Sequence, residues 1–159
     1  MKLRKIMAGI VATAVTASMV VCALPASAAT NTLAKGEAII ERLHEAVPEC
    51  ESSITDLADA EALRAAVADC DILVNATKVG MKPLDDQTLI DPSMFRSDLV
   101  VADTVYNPKE TLMIKQAAEA GCAAAVGGIG MLLWQGAAAF KLFTGEEMPT
   151  QEVLENFFS

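Results

Sequence analysis

The sequence predicts an α/β fold, a parallel sheet of about three to four strands with flanking helices. Three observations predict it. Short apolar runs alternate with amphipathic stretches along the chain, which is the pattern of strand–helix units. The two clearest runs, residues 71–77 and 99–106, are apolar through their centres, as strands buried on both faces are. Each run ends in polar or glycine residues, where a strand turns towards its helix. At 159 residues and 53% hydrophobic, the chain is long and apolar enough for one folded domain.

The first 28 residues read as an export signal rather than as part of that domain. Lys2, Arg4 and Lys5 make a basic start, and no charged residue follows from Ile6 to Leu24. Pro25 then breaks the run, and Ala26-Ser27-Ala28 offers the small side chains that signal peptidase accepts. Cleavage is expected after Ala28, which leaves residues 29–159 as a secreted or periplasmic domain without a stable membrane span. The alternative is an uncleaved anchor, since about 19 apolar residues just span a bilayer.

The elements after residue 28 follow in order. Ile39, Ile40, Leu43 and Val47 recur at helical spacing from about Ala34, and Pro48 ends the stretch. Ser52 to Leu57 is a short strand. Asp59 caps a helix through Val67, with Leu63 and Val67 on one face. The strand at 71–77 is followed by a loop from Lys78 to about Pro92. After the strand at 99–106, Asn107-Pro108 reads as a cap and first turn, opening a helix to Ala120 that Gly121 stops. Cys122 to Val126 is another strand, Met131 to Phe143 an apolar helix, and a last helix follows Pro149. Trp134, Phe140, Phe143, Phe157 and Phe158 are expected in the core or at an interface.

Charge and composition exclude several functions. A formal charge of −9 repels phosphate, and no basic stripe offsets it, so nucleic acid is not a partner. With one histidine, His44, and no C-x-x-C pair among four cysteines, the material for a metal site or a thiol–histidine nucleophile is lacking. Chemistry is therefore sought at the carboxyl ends of the strands, where open parallel sheets place ligands. Three such ends are distinctive: residues 75–81, 105–108 and 128–131. Each pairs a small residue with a polar side chain, which fits a nucleotide or small-molecule cleft. For any one of them alone, ordinary strand-to-helix turn chemistry is the favoured reading.

Taken together, the three resemble one family. Asn-Ala-Thr-Lys-Val-Gly-Met-Lys-Pro-Leu at 75–84, Val-Tyr-Asn-Pro at 105–108 and Gly-Met-Leu-Leu-Trp-Gln-Gly at 130–136 are similar to the C-terminal half of shikimate dehydrogenase. The resemblance runs from about Asn31 to Ser159 and is strongest to the quinate/shikimate branch. It implies an incomplete Rossmann-like sheet and NAD or NADP as cofactor. Lys78, where many relatives carry proline, points to use of NAD as well as NADP. By resemblance, Lys78, Thr104, Val105, Tyr106, Asn107 and Gly128 border the dinucleotide, and Gln135 and Tyr106 meet shikimate or quinate. Gly127 departs from the family pattern, which has Asn or Asp there.

The resemblance also implies what these residues do not supply. The family's proton-shuttling lysine and aspartate belong to an N-terminal substrate domain, and no Gly-x-Gly-x-x-Gly follows a strand here. No catalytic residue is therefore assigned; Asp103, Lys109 and Lys115 do not occupy equivalent positions. The chain alone is expected to bind NAD weakly or not at all and to be inactive. Without the first two strands of the sheet, the strand at 52–57 is expected to lose its neighbour, and exposed edges to invite self-association. An exported non-catalytic binding module and a non-functional fusion product remain as alternatives.

Overall fold

The computed structural model describes residues 5–8, 19–24, 29–48 and 50–158, with side-chain surroundings from residue 36 onward. In chain order the strands are β1 (Lys5–Ala8), β2 (Met19–Leu24), β3 (Ser52–Asp56), β4 (Ile72–Asn75), β5 (Val100–Asp103) and β6 (Ala124–Val126). The helices are α1 (Ala29–Ala46), α2 (Ala60–Ala68), α3 (Leu112–Glu119), α4 (Ile129–Thr144) and α5 (Thr150–Phe157). All six strands join one sheet in the order β3-β2-β1-β4-β5-β6, every neighbouring pair parallel. That order reverses at β1/β4, as in doubly wound nucleotide-binding sheets.

The α/β parallel class stands, and β3 to β6 are the four strands the sequence indicates. The sheet also contains β1 and β2, which come from the run read as an export signal. β3 consequently has a neighbour, paired with β2 from Val20↔Ser52 to Leu24↔Asp56. The physical reason is that an uncharged apolar run suits a strand buried in a parallel sheet as well as it suits an export signal. What separates the two uses is tertiary: the backbone donors and acceptors of β3 and β4 need partners. Residues 25–28, where cleavage is expected, lie outside the described residues. No helix among the described residues is long and apolar enough to cross a membrane.

Packing explains the local structure around the sheet centre. Leu63 and Val67 of α2 bury against Leu73, Leu99 and Val101, and Met113, Ile114 and Ala117 of α3 complete the cluster. The loop after β4 contributes Ile90 and, from a 3-10 turn at Pro92–Met94, Met94. Asp59 caps α2 as the sequence indicates, its carboxylate accepting from the Ala62 amide at 2.9 Å. Arg96 closes the other end, donating to the carbonyls of Val67 at 2.5 Å and Cys70 at 2.6 Å. A guanidinium there also meets the negative end of the helix dipole. Burial raises the Cys70 thiol to a pKa of about 11, against the lowering influence of Arg96. Cys122, partly buried, is also shifted upward by desolvation.

Two expectations are corrected. The helix after β5 starts at Leu112, not at Pro108, because Thr111 is its cap; the Asn107–Pro108 bond is cis and belongs to the preceding turn. Of the core-or-interface expectation for the aromatic residues of the last two helices, the core half is not met. Trp134 is 65%, Phe143 89% and Phe157 78% exposed, and Leu133 is the one fully buried residue of α4.

Candidate functional site

The carboxyl ends of β4, β5 and β6 lie side by side, and a single buried carboxylate ties two of them together. Asp103 closes β5 at 3% exposure. Its Oδ1 accepts from the Val105 amide at 2.9 Å and from Asn75 Nδ2, at the end of β4, at 3.0 Å. Its Oδ2 accepts from the Thr111 hydroxyl at 2.6 Å. Three donors satisfy an acceptor-only group, which is what allows a carboxylate to sit in this interior.

From Asn75 the order extends outward along the Asn-Ala-Thr-Lys loop. Asn75 Nδ2 also donates to the Val79 carbonyl at 2.9 Å, while its Oδ1 accepts from the Thr77 amide at 2.9 Å and hydroxyl at 2.8 Å. The Thr77 hydroxyl in turn accepts from the Val79 amide at 3.1 Å. Lys78, at the tip, is left exposed on a loop whose neighbours are all fixed. Gly80 follows with φ +100, a conformation glycine adopts without cost; a Cβ there would lie 3.2 Å from Thr111. The loop thus packs directly on the residue that also binds Asp103.

Gly128 shows why the third strand end carries glycine. Its amide donates to the Val105 carbonyl at 3.2 Å. A Cβ at this position would stand 2.5 Å from the Thr104 oxygen and 2.6 Å from that of Val105. Both are backbone atoms that cannot move aside, so only glycine brings the start of α4 onto the β5 turn. Gly127 lies nearly as close, a Cβ there meeting the Lys109 carbonyl at 3.0 Å, although the family pattern has a larger residue.

The structure therefore brings together Thr104, Val105 and Gly128, a grouping the resemblance implies, with Asn107 in the same turn. Lys78 lies on the β4 loop that the Asn75–Asp103 bond ties to β5. Tyr106 is 48% exposed, and Gln135 sits on the exposed side of α4, two turns beyond Gly128. Among the described residues, no hydrogen bond engages the side chain of Lys78, Tyr106 or Gln135. These three side chains are unpaired, whereas both carboxylate oxygens of Asp103 are occupied by donors from within the fold. Sequence reasoning set Asp103 aside and gave no part to Thr111. The signal was present in Ala-Asp-Thr-Val, an acid at a strand end among apolar residues, but its partners are far apart in the chain. No group of His, Cys, Asp and Glu among the described residues is arranged to hold a metal ion.

Comparison with known proteins places these loops in context. Residues 128–155 match the family described as shikimate 5'-dehydrogenase C-terminal domain. The shikimate dehydrogenase (NADP+) of Streptococcus uberis is 47% identical over 127 residues, which is 79% of this chain and 43% of that protein. Among solved structures, shikimate 5-dehydrogenase from Listeria monocytogenes, in complex with shikimate and NAD, superposes with a TM-score of 0.75 at 35% identity. That match covers 89% of this chain and 47% of the other. Quinate dehydrogenase from Corynebacterium glutamicum, in complex with NAD, gives a TM-score of 0.70 at 29% identity, with 88% and 45% covered. The chain spans less than half the length of these relatives.

Proposed function

We propose that this chain, which resembles the C-terminal portion of the shikimate dehydrogenases in sequence and fold, is the dinucleotide-side part of such an enzyme. The observation that carries this reading is Gly128 seated on the Thr104 and Val105 carbonyls, beside a β4 loop fixed through Asp103. That arrangement makes a wall of closely packed backbone at the carboxyl ends of adjacent parallel strands, where open parallel sheets place their ligands. Thr104 to Asn107 and Gly128 form the wall, and Lys78 flanks it. Gln135 and Tyr106, both exposed and unpaired, serve as donors and acceptors for the hydroxyls of shikimate or quinate. A bound NAD or NADP supplies the hydride chemistry; the residues here orient it.

The remaining half of the reaction needs groups that these residues do not provide. General acid–base help is worth roughly 10²–10⁴ in rate, and the resemblance assigns it to a lysine and an aspartate of a separate substrate domain. The purified 159-residue chain is accordingly expected not to oxidise shikimate or quinate with NAD or NADP. It is expected to bind NAD no more tightly than roughly millimolar, about −4 kcal/mol. Calorimetry and a spectrophotometric assay test both; turnover lost on Gln135→Ala, or a micromolar constant weakened by Lys78→Ala, overturns the reading of an incomplete site.

Export is a second reading, supported by the basic start, the apolar run and Ala26-Ser27-Ala28. Against it stands the use of Lys5–Ala8 and Met19–Leu24 as strands. N-terminal sequencing of the chain expressed in a bacterium separates them: a start at Ala29 outside the cytoplasm supports export, and a start at Met1 inside rejects it.

A further inference from the structure

We propose that Asp103 is the positioning residue of the dinucleotide wall: it sets the two strand-end loops in mutual register without touching a ligand. The proposal rests on the reading of those loops as a nucleotide site. Its basis is connectivity. Asp103 is the one described group bonded to the β4 end (Asn75), the β5 turn (Val105) and the cap of α3 (Thr111) at once. Each of those partners touches a wall element. Asn75 orders the loop carrying Lys78 through Thr77 and Val79. Val105 lends its carbonyl to Gly128, and Thr111 lies against Gly80.

Chemistry distinguishes the useful variants. Asp103→Ala orphans the buried Val105 amide and leaves the Thr111 hydroxyl and one Asn75 hydrogen without an acceptor. Asp103→Asn keeps a carbonyl oxygen for Val105 and Asn75, and turns its NH2 towards Thr111, whose oxygen can accept. A side chain that merely filled space would be served as well by Leu, of similar size, as by Asn. One that positions the loops is rescued by Asn alone.

The experiment uses the full chain and three readouts: thermal melting, amide hydrogen exchange, and NAD titration followed by saturation-transfer NMR, which reads millimolar binding. Asp103→Ala is expected to speed Val105 amide exchange by about tenfold or more, as loss of a hydrogen bond to a charged group implies. Leu99 and Val101 amides stay protected, and NAD binding weakens by about fivefold or more. Asp103→Asn restores both towards the parent values. A folded Asp103→Ala chain with unchanged Val105 exchange, or with faster exchange and unchanged NAD binding, overturns the proposal. Should Asp103→Ala not fold, Thr111→Val removes the Oδ2 donor together with the α3 cap, and the same two outcomes, read at Val105 rather than in α3, decide. If the parent chain gives no saturation transfer from NAD, the isolated chain is the incomplete site proposed above, and the exchange data alone decide whether Asp103 holds the loops.

Discussion

Gly128 and Gly130 stand two residues apart at the start of α4 and answer to different constraints. Around Gly130 no atom lies within 4 Å of an added Cβ, whereas Gly128 faces two carbonyl oxygens at 2.5 and 2.6 Å. Gly128→Ala is therefore expected to cost about 1–3 kcal/mol by overpacking against backbone. Gly130→Ala, within a helix, is expected to stabilise by roughly 0.5–1 kcal/mol. Urea denaturation of both variants checks the contrast. Cys70 gives a pH-dependent prediction. Its folded pKa, about 11 against an ordinary 9.0, is raised because burial disfavours the thiolate. The unfolded chain therefore loses this proton first, so stability is intact below pH 9 and falls as pH rises towards 11. Melting temperatures across that window should drop more steeply for the parent chain than for Cys70→Ala.

At the scale of elements, α4 and α5 are the least satisfied part of the fold. Met131, Trp134 and Leu142 share an exposed face of α4 with Gln135, and Phe143 and Phe157 lie open nearby. Contiguous apolar surface of this kind promotes association. Replacing Trp134 and Leu142 together by serine should leave folding stability within about 0.5 kcal/mol, as surface changes do. Sedimentation of the variant should show less self-association than the parent chain. The composition of α4 made it look like a core helix, because apolar side chains read alike whether their partner lies in the same chain or elsewhere. By contrast, α2 was fully legible: Asp59, Leu63 and Val67 state its cap and buried face within nine residues.

For the whole molecule, the sheet order makes the first strands structural. β1 lies between β2 and β4, so removing residues 1–28 would strip β3 of its partner and bare one side of β4. The 29–159 chain is expected to melt at lower temperature than the 1–159 chain and to associate through the exposed edges. Differential scanning calorimetry with light scattering checks this. Equal melting of the two chains would mean that the folded domain does not depend on β1 and β2.

The sequence by itself determined the parallel α/β class, strands β3 to β6 and the cap and buried face of α2. These are local: periodicity, caps and turn residues write them into short windows, whereas the candidates Lys78, Thr104–Asn107 and Gly128 come from the family resemblance of three short motifs. Tertiary structure alone decided three other matters. Lys5–Ala8 and Met19–Leu24 became strands, because pairing partners distant in the chain, Ile72 for Ile6 and Ser52 for Val20, select that use of an ambiguous pattern. The helix after β5 began at Thr111 rather than Pro108, because Thr111 binds Asp103 while capping α3. And Asp103 became the joint of the site, because a buried carboxylate is defined by donors from three elements, which only the folded chain brings within 3.0 Å.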